Sequence, residues 1–326
     1  MPKVSVVMPA YNAEAYIGAA MESILNQSFG DFEFLILNDC STDGTEAIIK
    51  SYDDPRIVYL KNEKNLGVAA TLNKGLAAAQ GEYIARMDAD DFSLPQRFEK
   101  QVAYLDAHPE VTVLGTQVQF FSDRGDGEPF CYLGSPAQLK IDLLFASAIA
   151  HPSVMLRRQV ILDMGGYDRQ FEGLEDYELW CRISEQAMLA VYPQVLLRYR
   201  IHPGQVTQQP SERKRQAARR LKQRQLTQLG LPTEGDIAEA YYNYQAKERK
   251  TPEKALSEIR FFEALLDANE QKGVYDRALL KKLMRQLAKS NAVGLTSAQQ
   301  RQLCRKTRLL CYPELLLSRL KQTLLR

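Results

Sequence analysis

The sequence predicts an α/β fold: a mainly parallel sheet with flanking helices, followed by an all-helical C-terminal region. Three observations carry this prediction. Short β-rich runs alternate with amphipathic helical stretches through the first two hundred residues. Clusters of polar and acidic residues fall just after apolar runs, where strands would end. From Ser211 onward Gln, Leu, Ala, Lys and Arg dominate and strand patterning stops. A chain of 326 residues with 45% hydrophobic and 25% charged residues has room for one large α/β domain and a smaller one. The change in texture places them at 1–205 and 206–326.

Strands are expected near 3–8, 32–37 and 57–60, with amphipathic stretches near 14–26, 43–51 and 67–79 between and after them. Gly81 punctuates the third helix before a strand near 82–87. Pro95 opens a helix running to about Ala107, His108-Pro109 breaks it, and Val111 to Phe121 alternates as an extended segment. Further β-like stretches at 153–157, 188–192 and 195–201 surround a helix near 176–187. In the second region Gly230-Leu231-Pro232, Thr251-Pro252 and Gly273 mark the ends of successive helices.

Composition excludes several classes. The net charge of +2 is not that of a nucleic-acid binder, and the basic stretch Arg213 to Arg224 has no interleaved aromatics. Five scattered cysteines without a CxxC pair suggest reduced thiols rather than a zinc or disulfide framework. The apolar run Val4 to Met8 is too short for a signal-peptide core or a membrane span. A cytoplasmic protein, at most peripheral on the membrane face, is the expectation.

Candidate site residues cluster where strands should end, the edge at which α/β sheets bind nucleotides. Pro9-Ala10-Tyr11-Asn12 closes the first strand; Tyr11 could border a base, while Asn12 could equally cap the following helix. Asp39, in Asn38-Asp39-Cys40-Ser41-Thr42-Asp43, could accept hydrogen bonds from a base imide or a ribose hydroxyl. Asn65-Leu66-Gly67 precedes a helix whose free amides would suit a phosphate or ribose, although Asn and Gly also mark ordinary turns. Asp88-Ala89-Asp90-Asp91 is the sharpest signal: three carboxylates in four residues repel unless a cation offsets them, and oxygen ligands of this kind suit Mg²⁺ or Mn²⁺. A solvated acidic turn is the plainer reading of the same four residues.

Taken in order, VSVVMPAYNAEAYI, LNDCSTDGT, NLG, ARMDADD, HPSVMLRR, GGYDRQFEGLEDYELWCRIS and LRYRIHPGQVT resemble the family 2 glycosyltransferases across roughly residues 1–205. That resemblance implies the Rossmann-like GT-A fold. It also implies inverting transfer of a sugar from a nucleotide-diphosphate donor to an acceptor hydroxyl, assisted by Mn²⁺ or Mg²⁺. By the same resemblance Pro9, Tyr11, Asn12 and Asp39 would hold base and ribose, Asp88 ribose or metal, and Asp90 the metal, with Asp91 supporting the loop. His202 resembles a metal- or diphosphate-contacting histidine of such enzymes. A displacement of this kind needs a base for the acceptor hydroxyl. Asp176, at the start of the helix bearing Leu179, Trp180 and Ile183, is the candidate, with Glu175 the runner-up; helix-dipole complementation is the plainer role for both. His151 is read as structural and Trp180 as core packing.

Between Lys281 and Arg326 eleven Lys and Arg face one acid, Glu314, with leucines interleaved. Such helices could meet a membrane surface and a glycan or lipid-linked acceptor there, or pack on the catalytic domain or a second subunit of a homo-oligomer. Surface polysaccharide or glycolipid assembly is what the resemblance implies. The competing readings are a catalytically inactive sugar-nucleotide-binding scaffold, a sugar nucleotidyltransferase, weakened because no early Gly-rich triphosphate loop is found, and a dinucleotide oxidoreductase, discounted for want of a GxGxxG.

Overall fold

A computed structural model describes residues 1–203, 205, 212–244, 251–293 and 295–310. The chain forms two compact units, Met1–Ala217 and Ala218–Arg326.

The first unit opens with three strand–helix repeats: β1 (Val4–Ala10), α1 (Ile17–Leu25), β2 (Phe32–Asn38), α2 (Thr45–Lys50), β3 (Ile57–Lys61) and α3 (Val68–Ala78). Next come β4 (Tyr83–Arg86), the two-residue β5 (Phe92–Ser93), α4 (Arg97–Ala107), β6 (Val111–Ser122) and β7 (Gly125–Phe130). The remainder comprises α5 (Pro136–Asp142), a 3₁₀ turn at His151–Ser153, β8 (Met155–Arg157), α6 (Arg158–Asp163), α7 (Glu175–Ile183) and β9 (Met188–Arg200). The strands form one sheet in the order β3-β2-β1-β4-β8-β6-β9-β5, with β7 paired to β6.

Half of this sheet is parallel, as expected: β2 and β4 flank β1, and β3 lies beyond β2. Burial explains why β1 and β2 read as nearly continuous apolar runs, broken by Ser5 and Glu33, rather than as alternations, because helices cover both faces of such a sheet. Val4, Val6, Met8, Phe34, Leu35 and Ile36 are all fully shielded. Beyond β4 the sheet becomes mixed, with β8 antiparallel to both β4 and β6 and β9 parallel to β6.

The two β-like stretches expected at 188–192 and 195–201 are one strand, β9. Pro193 has no N–H to give, and the register against β6 jumps between Tyr192 and Val195 so that the strand continues past it. Four elements had no sequence expectation. Residues of β7 are all exposed and show no apolar alternation, β5 is held by pairing Phe92 and Ser93 with Arg198 and Leu197, and α5 and α6 are short.

The second unit is helical, with α8 (Glu212–Leu229) crossing into it from the first, then α9 (Asp236–Tyr242), α10 (Pro252–Lys272), α11 (Arg277–Ala292) and α12 (Ser297–Lys306). The expected punctuation sits at the ends of the helices. Thr251 caps α10 with Pro252 as its first residue, and Gly273 ends it in the left-handed region at φ 64°. Tyr241 stacks on Phe261 at 4.7 Å in a core that also shields Leu226, Leu280 and Met284. Exposed Lys281, Lys282 and Arg285 share α11 with buried Leu280, Met284 and Ala288. The basic, leucine-rich stretch from Cys311 to Arg326 lies outside the described residues.

Candidate active site

The carboxyl ends of β1, β2 and β4 meet along one edge, and their pairing runs past the strands themselves: Asp39 N–H donates to Ala10 O at 2.8 Å and Met87 N–H to Val7 O at 3.2 Å. Pro9 lies within β1 opposite Leu37, and Tyr11 projects beyond it, half exposed. Asn12 is not the cap of α1, which begins five residues later at Ile17. Its N–H donates to Ser41 Oγ (3.0 Å) and its side-chain oxygen accepts from Thr42 N–H (2.8 Å), so it ties the β1 turn to the β2 turn. Asn12 (φ 49°) and Cys40 (φ 63°) are the two non-glycine residues with positive φ among those described. Each conformation costs on the order of 1 kcal/mol, and such strain gathers at working sites.

Asp39 is buried, and its carboxylate accepts from Asn62 Nδ2 (2.8 Å), Leu66 N–H (2.8 Å) and Gly67 N–H (3.0 Å). It therefore orders the loop that carries Asn65 and Gly67, and Asn65 Oδ1 also accepts from Gly67 N–H at 3.2 Å. The amides that open α3, read from sequence as a seat for phosphate or ribose, already hold an anion of the chain itself. Glu172 accepts from Val68 N–H (2.6 Å) and Ala69 N–H (3.4 Å).

Asp88, Asp90 and Asp91 each offer a carboxylate oxygen within 4.8 Å of the other two. His202 joins them from the far end of β9, its Nε2 3.0 Å from Asp90 Oδ2. The histidine ring packs against Tyr16 at 4.9 Å, and the Arg200 guanidinium covers the same tyrosine at 4.6 Å. Asp91 ties the acidic loop to the end of β9: Oδ1 accepts from Arg200 N–H at 2.8 Å, while buried Oδ2 has no hydrogen-bond partner. Burial first, then the charges of Asp88 and Asp90, push the Asp91 carboxyl well above the usual carboxylate range. Burial and Asp88 raise Asp90 too, against the opposing pull of His202. Clustered acids that resist ionisation, with an orphaned oxygen among them and an imidazole beside them, suit a hard divalent cation.

Asp176 and Glu175 begin α7 with different surroundings. Glu175 is buried, its Oε2 accepts from Gly173 N–H at 2.5 Å, and burial followed by the neighbouring Asp176 pushes its carboxyl up to about 7. Asp176 is partly exposed; burial raises its carboxyl, the adjoining N–H of Tyr177 and the charge of Arg86 lower it, and the charge of Asp88 raises it again. It thus faces the field of the acidic loop. His151 is buried, with Nε2 2.8 Å from Tyr167 Oη, and burial holds it well below the ordinary imidazole range. Trp180 is fully buried, 5.8 Å from the His151 ring, which fits packing.

Two residues escaped the sequence reading. Arg86, buried on β4, pairs with Asp88, and its Nε has no hydrogen-bond partner; it stood in the quoted run ARMDADD, where a buried cation two residues before an acidic cluster was the available signal. Glu172 gave no such signal, because its partner lies 104 positions away.

Comparison with known proteins supplies the family. The model for "Glycosyl transferase family 2" matches residues 5–164. An uncharacterized glycosyltransferase of Haemophilus influenzae is 32% identical, over 69% of this chain and 74% of its own length. The chain belongs to glycosyl transferase family 2. The O-antigen biosynthesis glycosyltransferase WbnJ of Escherichia coli is 34% identical to this glycosyltransferase over 61% of the chain and 80% of WbnJ. Among solved structures, S. aureus TarS in complex with UDP-GlcNAc superposes with a TM-score of 0.61 at 20% identity, covering 89% of this chain and 88% of that one. The fold of this glycosyltransferase is GT-A.

Proposed function

We propose that this glycosyltransferase moves a sugar from a nucleoside-diphosphate sugar to an acceptor hydroxyl in one inverting displacement, in the assembly of a surface polysaccharide. The observation that carries the reading is the meeting of Asp88, Asp90 and Asp91 with His202, 112 positions from Asp90, at the carboxyl edge of the sheet. Asp88, Asp90 and His202 would hold Mn²⁺ or Mg²⁺. Bound there, the ion would neutralise charge on the departing diphosphate. Pro9, Tyr11, Asn12 and the loop ordered by Asp39, including Asn65 and Gly67, form the nucleotide side. The acceptor oxygen attacks the anomeric carbon, its proton passes to Asp176, and the bond to the diphosphate oxygen breaks with both electrons leaving on the diphosphate. Inversion requires one carboxylate, and Glu175, bonded to Gly173 N–H, is the less free of the two. The polysaccharide role is inferred from WbnJ.

The domain reading goes with it: residues 1–205 carry catalysis, and the helical remainder meets acceptor, membrane surface or a second subunit. The exposed cations of α11 favour an anionic lipid surface, hence a lipid-linked acceptor and a cytoplasmic, membrane-peripheral location. The donor site is tested by calorimetry of UDP, GDP, dTDP and CMP with Mn²⁺, Mg²⁺ or EDTA, on wild type and Asp90→Ala. One nucleotide binding only with metal, and only to wild type, is the expected outcome. Binding of none would return the chain to the scaffold reading.

A further inference from the structure

The helix that carries Glu175 and Asp176 is reached through a loop, Gly165–Leu174, in which Gly165, Gly166 and Gly173 all have positive φ (82°, 69° and 84°). A loop so rich in glycine would have many conformations open to it. Arg182 of α7 and Arg213 hold the Gly166 and Arg169 carbonyls, and two further side-chain anchors, one from each side, tie the loop to α3. Asn73 receives Tyr167 N–H on Oδ1 and donates from Nδ2 to Tyr167 O, each at 2.8 Å. The Glu172 carboxylate closes the N-terminus of the same helix, which has no side-chain cap of its own. The next residue, Gly173, donates its N–H to Glu175. At the other side of that helix start, the amides of Leu66 and Gly67 are held by Asp39. An unbroken path of hydrogen bonds and short backbone therefore runs from the nucleotide edge, across the N-terminus of α3, to the first turn of α7. Gly67 is part of the fit: a Cβ there would lie 2.8 Å from Glu172 Oε1.

We propose that Glu172 is a positioning residue for the transfer reaction: seated on the Val68 and Ala69 amides, it fixes the Gly165–Leu174 loop and thereby holds the start of α7 in reacting register with the donor site. The proposal rests on Asp176 being the base, and it assigns Glu172 no contact with substrate. An ordinary helix cap stabilises the fold and nothing more; a tether also sets the geometry of the group at its far end, where a displacement of about 1 Å can cost about 10²-fold in rate. Glutamine at position 172 retains an oxygen for the Val68 N–H, whereas alanine retains none.

The test compares wild type with Glu172→Ala, Glu172→Gln and Asp176→Asn. It follows nucleoside diphosphate release from a panel of UDP- and GDP-sugars with Mn²⁺, calorimetric affinity for UDP and GDP with Mn²⁺, and hydrogen exchange of the Gly173–Glu178 amides. Glu172→Ala is expected to lower turnover by about tenfold or more, to leave nucleotide affinity within about twofold and to speed exchange at Gly173–Glu178. Glu172→Gln is expected to restore both turnover and protection. Wild-type turnover in Glu172→Ala, equal impairment in Glu172→Gln, or unchanged exchange would each overturn the proposal. If Glu172→Ala melts below the assay temperature, Asn73→Ala removes the second anchor on α3 and must loosen the same amides. An active Asp176→Asn enzyme would instead overturn the base assignment, and exchange in the Glu172 variants would still decide whether the tether exists.

Discussion

At the scale of single residues, the carboxylates of the candidate site differ in what surrounds each of them. Asp176 stands partly exposed at a helix start, whereas Glu175 beside it is buried and bonded to Gly173 N–H. If Asp176 is the base, Asp176→Asn should leave nucleotide binding nearly intact and lower turnover by about 10²-fold or more, measured as nucleoside diphosphate released. Burial raises the Asp176 carboxyl, so if it is the base, turnover should fall as pH drops, with a midpoint above the ordinary aspartate value. Glu175 gives a stability prediction with a definite sign. Its folded value of about 7 lies above the ordinary 4.5, so between those values the folded chain keeps a proton that the unfolded chain has released. Stability from this group is complete below that window and is lost as pH rises through it. Glu175→Gln should be the more stable protein at pH 8, by about 3 kcal/mol, with the advantage gone near pH 4.5; urea unfolding across that range measures it. That the acidic loop and His202 stand together was foreshadowed in the sequence by the order of motifs around them. Glu172 was not, since a lone glutamate in a loop has no spacing to read and acquires its role through amides far along the chain.

At the scale of elements, two glycines of the first unit illustrate how close the packing is. A Cβ on Gly81, just before β4, would meet Ser5 N at 2.6 Å and the Val4 carbonyl carbon at 2.7 Å. Both are backbone atoms of a central strand and cannot swing aside. Gly81→Ala should destabilise by about 1–3 kcal/mol, whereas Gly30→Ala, with nothing within 4 Å and no positive φ, should be neutral or gain up to about 1 kcal/mol. Thermal melting of the two variants checks the contrast. The central parallel strands and their helices could be read from sequence because burial on both faces leaves mostly apolar runs. What escaped did so for local reasons. The exposed ribbon β7 offers no alternation, β5 exists by virtue of its pairing with β9, and Pro193 looked like the end of a strand that in fact passes it by a register jump.

At the scale of the whole molecule, 42 basic and 40 acidic residues nearly cancel, yet the last stretch of chain is strongly basic. No helix among the described residues is long and apolar enough to cross a membrane. If the basic helices meet lipid, the intact protein should float with phosphatidylglycerol vesicles, stay behind with phosphatidylcholine vesicles, and be released by salt as charges within a Debye length of about 10 Å at 0.1 M are screened. Equal recovery from both lipids would remove the membrane reading. The division into a strand-bearing part and a helical part was visible in the sequence because the pattern of apolar residues changes with it. The mixed half of the sheet was less visible, since strand direction depends on pairings between distant segments. One such pairing has a consequence in time. On the ribosome the acidic loop is made well before the stretch from Arg198 to His202 that pairs with β5, receives Asp91 on the Arg200 amide and sets an imidazole against Asp90. Until that last strand emerges, the acids lack these partners, so a chain halted before about residue 200 can have most of the sheet while the acidic loop still lacks His202 and the Arg200 amide. The proposed metal centre is thus among the last parts to be completed, and if it takes Mn²⁺ or Mg²⁺, that affinity would report whether synthesis and folding of the sheet have finished.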